Sequence, residues 1–377
     1  MGLFNYTKPC GQQPSPLERY LAAGGIVCLG SVGIVAYLVV LYILFFRGRK
    51  DPQLRNPFYT LLSALAACDL AMLSAFVFYA APSTLRGMRP LGWVGNLLGG
   101  MVADWTWATS MLLVSLLCLN RYWAVCRFGT YWTTFSQLRV WAAIVAAFAL
   151  GFGRCVIFQL MGFCRVVYME DLFFWSFVEP FTAGCLAMIV SDRLLTLSAV
   201  TAIVGCYVAI LRAVRRNHQR VSQMKKRLPI GGRAVAKPRK LAWTTRRLGD
   251  EAGPPQPNNG VPANERGNQK EQRFPARPTI CANTKPVQAG AKPTSGQEER
   301  QQQLEVRLAV QFLIIALHLL LTAAGFSVIP AVSYRHWPLY VATLLHVNNS
   351  VINPLVYLGS NTSIRAHFLA MLGQRNK

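Results

Sequence analysis

The chain has 377 residues, of which 53% are hydrophobic and only 14% are charged. Because soluble proteins carry about 25% charged residues, this composition argues against a soluble protein and indicates one that lies in a membrane. More than half of the formal net charge of +24 falls in one polar segment, 215–303.

Seven apolar stretches are long enough to cross a membrane. A hydrocarbon core of ~30 Å takes about 20 residues of helix. The stretches are 21–46, 57–81, 97–126, 138–160, 185–214, 304–331 and 337–358. They predict an all-α membrane protein built as a bundle of seven transmembrane helices.

Basic residues determine the predicted orientation of the bundle, because short cytoplasmic loops collect Lys and Arg. The link between the first two spans holds Arg47, Arg49, Lys50 and Arg55, whereas the segment before the first span offers Lys8 and Arg19. The N-terminus is therefore predicted outside and the C-terminus inside, in the plasma membrane. Asn5, in the sequon Asn5-Tyr6-Thr7, then lies on the side where glycosylation occurs.

Changes in composition divide the chain into parts. The predicted parts are an extracellular N-terminus at 1–20, spans one to five at 21–214, a basic disordered third cytoplasmic loop at 215–303, spans six and seven at 304–358, and an amphipathic helix with a tail at 359–377. The loop has too few apolar residues to fold. Its charge favours membrane lipids or acidic partner surfaces over nucleic acid, because the loop is tethered beside an anionic leaflet.

Most of the ten cysteines fall inside predicted spans or on the cytoplasmic side, where thiols stay reduced. In this topology the extracellular candidates are Cys10, Cys164 and Cys185. One disulfide among them is expected at most, and its pairing is left open.

Asp69 lies in the middle of the apolar second span. A carboxylate at that depth costs roughly 2.5–3.5 kcal/mol on insertion scales, so it normally faces a polar partner inside the bundle. Candidate partners occur together in span seven as Asn349, Ser350 and Asn353. We therefore predict that spans two and seven meet there. Pro354 removes a backbone hydrogen bond beside this cluster and predicts a hinge.

Motifs in three spans carry a family resemblance. Span three ends in Asn120-Arg121-Tyr122, and span seven holds Asn353-Pro354-Leu355-Val356-Tyr357. With Asp69 in span two, this order resembles the rhodopsin-like family of seven-helix G-protein-coupled receptors. The segments 305–311 and 360–365 also resemble the divergent chemosensory receptors of the nematode serpentine type.

The resemblance implies a receptor that is not an enzyme. A small-molecule or peptide ligand favours one of two bundle arrangements, and the inner ends of the helices then bind a heterotrimeric G protein. The residues implied in coupling and activation are Asn120, Arg121, Tyr122, Tyr207, Asn353, Pro354 and Tyr357. The residues implied in binding a sodium ion, the only cofactor expected, are Asp69, Ser110, Asn349, Ser350 and Asn353. Their oxygens suit a hard cation.

The candidate ligand-binding residues lie in the outer halves of spans three and five. They are Asp104, Trp105, Trp107, Ser191 and Asp192. Aromatic rings beside an acid can hold a cation. Amine receptors of the family place their acid one residue earlier, where this chain has Ala103, so an amine is no better supported than other ligands. The tryptophans are equally compatible with packing, and Asp192 with a simple pair to Arg193.

Departures from the family pattern carry their own predictions. Asn120 replaces the acid beside the arginine, Asn96 replaces the span-three cysteine of the extracellular disulfide, Tyr37 replaces the span-one Asn, Ala199 replaces the span-five proline, and span six has no Trp and only the outer Pro330. We expect raised basal signalling, or restraint of Arg121 by another acid such as Glu305. The usual coupling through a span-six Trp is absent.

Other classes of membrane protein fit less well. A retinal photoreceptor needs a span-seven lysine, and the matching position is Val347. His318 and His346 lie in spans six and seven without a nucleophile or metal ligand at motif spacing, which argues against an enzyme. A transporter or channel is the alternative function. The ligand, the G-protein subtype and the oligomeric state are left open.

Overall fold

The computed structural model describes residues 13–47, 51–178, 182–227, 295–333 and 335–373. Its helices are α1 Pro16–Tyr42, α2 Pro57–Ala75, α3 Ala81–Arg86, α4 Gly92–Cys126, α5 Phe128–Thr134, α6 Gln137–Cys155, α7 Ala183–Arg227, α8 Ser295–Val332, α9 His336–Ser360 and α10 Thr362–Met371. A hairpin of two strands, β1 Val166–Met169 and β2 Phe174–Phe177, lies between α6 and α7.

The long helices form the predicted seven-helix bundle. Six helices of the described part are long and apolar enough to cross a membrane on composition alone. The helix outside that set is α9, because Asn348, Asn349 and Asn353 reduce its hydropathy. It is nevertheless packed against α1 and α8, and two of these three asparagines, Asn349 and Asn353, are buried. Exposed leucines on the outer helix faces, such as Leu150 of α6 and Leu197 of α7, fit a lipid environment.

The second span is longer than α2 alone. A π-helical turn, Phe76–Ala80, continues α2 into α3. Pro82 lies in the first turn of α3, and a proline cannot donate the helical hydrogen bond, which accounts for the wider turn before it. The span ends at Gly87, whose φ of 62° is in the left-handed region that favours glycine.

Small residues allow the helices to approach closely. A Cβ atom on Gly33 of α1 would lie 2.8 Å from Cγ2 of Val351 in α9. At the same interface the Tyr340 hydroxyl donates to the Ala22 carbonyl over 3.1 Å. Close packing of this kind, together with hydrogen bonds between helices, is how transmembrane helices associate. It places α9 beside α1 and thus near α2.

The helices next to the third cytoplasmic loop are longer than the spans. Although the sequence places 215–303 in a disordered loop, α7 continues beyond residue 214 and reaches Arg227. At the other side α8 begins at Ser295, earlier than the predicted start of span six at residue 304, because its first turns are rich in Glu, Gln and Arg and contain no proline. Residues 228–294 lie outside the described residues, so the disorder predicted there stays a prediction.

The predicted amphipathic helix after span seven is α10. Asn361 caps it, since its side-chain oxygen accepts a hydrogen bond from the Ile364 amide over 3.1 Å. Ile364 is fully buried. His367 contacts Asp51 at 3.1 Å, so α10 is held against the link between α1 and α2.

Candidate functional site

Asp69 is the centre of a buried polar cluster. Its carboxylate accepts a hydrogen bond from the Asn353 amide nitrogen at 2.8 Å and one from the Ser350 hydroxyl at 3.4 Å. Ser110 of α4 is buried beside the same carboxylate. Asp69 itself is only 2% exposed. The structure therefore brings α2, α4 and α9 together at the polar residues that the sequence singled out.

A phenol completes this cluster. The Tyr37 hydroxyl of α1 donates to the second carboxylate oxygen of Asp69, Oδ2, which also accepts from Asn353. Tyr37 is fully buried. In the sequence, Tyr37 is recognisable only as a departure from the Asn of rhodopsin-like receptors, and no role follows from it. The side-chain oxygens of Asn349 and Asn353 have no hydrogen-bond partner among the described residues, so acceptor capacity is left over next to the carboxylate.

Arg121 lies inside the inner half of the bundle. It is 2% exposed, its guanidinium stacks 4.0 Å from the centroid of the Phe58 ring, and its Nη2 donates to Asn120 Oδ1 at 2.7 Å. The neutral Asn120 thus occupies the place of an acid and still contacts the arginine. The side chain of Glu305 lies outside the described residues, so its suggested role stays a prediction.

A relay of neutral groups holds Asn120 in turn. Asn120 Nδ2 donates to the Tyr131 hydroxyl at 3.2 Å, and that hydroxyl donates to Asn56 Oδ1 at 2.8 Å. Asn56 is also the N-cap of α2, because its side chain accepts from the Phe58 amide. The relay therefore joins α4, α5 and the start of α2, the same turn that presents Phe58 to Arg121.

The other residues implied in coupling lie near this region. Tyr207 of α7 and Tyr357 of α9 are buried in one hydrophobic cluster with Phe58. Pro354 lies inside α9 and is buried, next to Asn353. Tyr122 is partly buried and packs edge-on against Trp123.

A cavity of about 390 Å³ lies in the outer half of the bundle, beneath β2. Its walls come from α4, α6, α7, α8 and α9. Among the residues that line it are Asp104, Trp107, Trp175, Asp192, Phe326 and His346. The volume is in the range of small-molecule binding sites.

The acids of the cavity are paired with an arginine. Arg154 of α6 contacts Asp104 at 2.6 Å and Asp192 at 3.6 Å. Gln159 also donates to Asp104, at 3.3 Å. At the edge of the cavity, Arg193 donates a hydrogen bond to the Ser327 hydroxyl and so bridges α7 and α8. The sequence is compatible with a pair between Asp192 and Arg193, but the salt bridge that forms uses Arg154, for which the sequence carries no signal.

Two of the proposed ligand-binding residues do not line the cavity. Trp105 faces α6, where its Nε1 donates to the Phe148 carbonyl at 3.3 Å and its ring packs on Phe152. Ser191 donates to the Met188 carbonyl and accepts from Arg154, so it contacts the salt bridge and not the open space. Asp104, Trp107 and Asp192 do line it.

The floor of the cavity is aromatic. His346 lies 4.9 Å from Trp107, 5.0 Å from Phe326 and 5.5 Å from Phe76, measured between ring centroids. Phe326 belongs to α8, the span that lacks the family's Trp, and it also packs on Trp107. Span six therefore does contact the floor of the cavity, but through Phe326 and not through a Trp.

Comparison with known proteins identifies the family. Residues 27–228, more than half of the chain, match the family model described as serpentine type 7TM GPCR chemoreceptor Srx. The chain belongs to the Srx chemoreceptor family. It is accordingly a multi-pass membrane protein of the G-protein-coupled receptor class, and a transporter or channel is not favoured.

The individual relatives are also receptors. Human olfactory receptor 4K2 is 27% identical over 183 residues, which cover 46% of this chain and 58% of that receptor. Human relaxin-3 receptor 2 is 30% identical over 144 residues, 34% of this chain and 37% of that receptor. The chain thus matches about half of the length of such relatives. The fold is similar to the crystal structure of squid rhodopsin, with a TM-score of 0.70 and 14% identity over 96% of this chain and 87% of that one.

In this Srx-family receptor, amide hydrogen bonds occupy the place of the family's span-three disulfide. Asn96 Nδ2 donates to the Tyr168 carbonyl at 3.2 Å, and the Tyr168 amide donates to Asn96 Oδ1 at 2.8 Å. Gly100 permits this approach, because a Cβ atom there would lie 1.8 Å from the Val166 carbonyl oxygen. Cys164 is instead bonded to Cys185, which ties the hairpin to α7. The third candidate, Cys10, and the sequon at Asn5 lie outside the described residues.

We expect Asn96→Ala to loosen the hairpin of this receptor. The change leaves a buried N–H and a buried C=O of Tyr168 without their partner, at a cost of about 1–3 kcal/mol for an unsatisfied group. Hydrogen exchange of 166–177 should therefore be faster. Asn96→Asp should exchange at least as fast as Asn96→Ala, because its carboxylate would be buried and would face the Tyr168 carbonyl. Equal exchange in all three proteins would contradict the role given to Asn96.

Proposed function

We propose that this Srx-family receptor binds a small molecule in the outer cavity and transmits that binding to a heterotrimeric G protein at the inner face of the plasma membrane. The observation that best supports this function is one face of α9. His346, Ser350 and Asn353 follow each other at helical spacing, from the floor of the cavity to the Asp69 cluster. Tyr357 continues the same face into the buried region around Phe58 and Arg121.

The proposed mechanism is a shift between two bundle arrangements. In the arrangement described above, Arg121 is enclosed and bound to Asn120. A ligand in the cavity contacts α7, α8 and α9 together and favours another arrangement only if it binds that arrangement more tightly. Pro354 weakens α9 where its inner part would move. Release of Arg121 from Asn120 and Phe58 would then expose a basic group to the G protein.

A G-protein activation assay tests this function directly. In membranes or lipid nanodiscs containing the whole receptor, Arg121→Ala should reduce nucleotide exchange on the G protein by at least about tenfold, because a buried arginine that must contact the partner is lost. Arg86→Ala is the matched control, since Arg86 is exposed at the opposite end of the bundle. Equal exchange by the wild type and Arg121→Ala would contradict the proposal, and ion flux or substrate uptake in vesicles would support the transporter alternative.

We also propose that sodium binds at the Asp69 cluster. The unpartnered side-chain oxygens of Asn349 and Asn353 and the hydroxyls of Ser110 and Ser350 fit a hard cation beside the carboxylate. When bound, the ion would supply positive charge that offsets Asp69, and it would compete with the Tyr37 hydroxyl for the same carboxylate.

Sodium should therefore raise the thermal unfolding temperature of the wild-type receptor in micelles relative to an equal concentration of choline, through preferential binding to the folded state. Asp69→Asn should remove this difference, and Tyr37→Phe should enlarge it. A sodium effect of equal size in Asp69→Asn would place the ion elsewhere.

A further inference from the structure

Two polar groups of the cavity lack partners. His346 is 7% exposed, and its Nδ1 has no hydrogen-bond partner in the part of the chain that the structure describes. The same is true of Nε1 of Trp175, which is 6% exposed and lines the cavity from the β2 side. Buried polar groups are nearly always hydrogen-bonded, so each unpaired group calls for an explanation. Both nitrogen atoms are buried in this arrangement, so a ligand that supplies the missing partner must also turn the ring toward the cavity.

The charged groups of the cavity point to an uncharged ligand. The acids Asp104 and Asp192 share Arg154, and the geometry leaves the guanidinium between them. Arg193 is bonded to Ser327 at the edge. A cationic ligand would have to displace Arg154 from an acid or enter without a counter-ion, and burial of an unpaired charge is very costly. An anionic group would find its counter-ion in Arg193, which is exposed at the edge and not in the buried part of the cavity. The remaining lining is largely aromatic and aliphatic.

The ring of His346 is itself placed for recognition. It is enclosed by Trp107, Phe326 and Phe76, so an unpaired imidazolium would be unfavourable and the ring is neutral. A neutral imidazole has one nitrogen that donates and one that accepts. The indole of Trp175 only donates. A hydroxyl group both donates and accepts, and it can therefore satisfy either group.

We propose that the cavity binds an uncharged, mainly apolar molecule with a hydrogen-bonding hydroxyl, and that His346 recognises this hydroxyl. Trp107 and Phe326 would pack against the apolar body of the ligand. This inference rests on the proposed receptor function, but it is decided by binding, without a G protein.

The test uses four probes that share a biphenyl skeleton and carry a hydroxymethyl, methyl, aminomethyl or carboxylate group. Affinities are measured with the purified full chain in nanodiscs, through the fluorescence of the tryptophans that line the cavity. The hydroxymethyl probe should bind at least about tenfold more tightly than the other three, because a site built for a hydroxyl rejects analogues that leave its polar groups unpaired. Tighter binding of the aminomethyl probe, or binding of no probe, would overturn the proposal.

Matched variants identify the group that recognises the hydroxyl. His346→Phe should reduce the affinity for the hydroxymethyl probe to that of the methyl probe, and His346→Gln should restore part of it. His318→Phe is the control, because His318 contacts Asn348 and does not line the cavity. Unchanged hydroxymethyl binding in His346→Phe would exclude His346. If the probe binds as expected but no G protein is activated, the proposed function fails while the ligand class stands.

Discussion

Asp69→Ala is expected to destabilise the bundle by on the order of 3 kcal/mol or more. The carboxylate accepts hydrogen bonds from Tyr37, Ser350 and Asn353, and Tyr37 and the other two side chains are all buried. Its removal leaves three donors without an acceptor inside the bundle, and each buried unsatisfied group costs about 1–3 kcal/mol. The loss of stability should exceed the loss that an ordinary apolar cavity of the same size would cause.

Thermal unfolding of the purified chain in micelles measures this effect. Asp69→Asn should be intermediate, since the amide keeps one acceptor and introduces a competing donor. The matched control is Ser74→Ala on the same helix, because the one hydrogen bond that the Ser74 hydroxyl makes within the described ranges is to the Leu70 carbonyl of its own helix. If Asp69→Ala unfolds at the same temperature as Ser74→Ala, the cluster does not hold α1, α2 and α9 together.

Sequence alone was sufficient to predict that Asp69 meets Asn353, because a mid-membrane carboxylate needs a polar partner and the motif of span seven offers one. It was not sufficient to predict that Tyr37 contacts Asp69. Tyrosine is amphipathic and common at membrane boundaries, so its presence in span one carries no clear polar signal. The contact depends on how far α1 is rotated toward α2, and Gly33 of α1 lies close to both Leu73 of α2 and Val351 of α9.

The residues of the ligand cavity show a different limit of prediction from sequence. Trp105 was proposed as a ligand-binding residue together with Asp104 and Trp107, but each residue turns a helix by about 100°. Asp104 and Trp107 are three apart and share a face, whereas Trp105 faces α6. Helical periodicity could have separated them. Helical periodicity could not have predicted the contact of Arg154 with Asp104, because nothing in the sequence of span four indicates it.

The extracellular hairpin was not predicted. Its strands have only four residues each, and the aromatic run around β2 resembles the start of a transmembrane span. The loss of the family's span-three disulfide was predicted from Asn96, but its replacement was not. An Asn side chain can pair with a backbone N–H and C=O only where a strand comes close, and that approach depends on Gly100 and on the fold of distant residues.

Asn120→Asp is expected to reduce ligand-free signalling on the order of tenfold. Arg121 Nη2 already lies 2.7 Å from Asn120 Oδ1, in a bond that is charge-assisted through the guanidinium alone, so a carboxylate at this position would convert it into an ion pair without a change of geometry. The two opposite charges attract each other more strongly in a site from which water is excluded. Because the guanidinium is already buried, the added acid stabilises the enclosed arrangement, and 1.4 kcal/mol changes a population about tenfold.

Basal nucleotide exchange on the G protein, at matched surface expression, measures this change. Tyr131→Phe separates charge from positioning, because it removes the hydroxyl that connects Asn120 to Asn56 and leaves Arg121 and Asn120 in place. We expect Tyr131→Phe to raise basal exchange and Asn120→Asp to lower it. The double variant should also show lowered basal exchange, since the ion pair no longer needs the relay. Equal basal exchange in Asn120→Asp and wild type would mean that the Asn120 contact does not restrain Arg121, and the restraint would then have to come from its packing on Phe58.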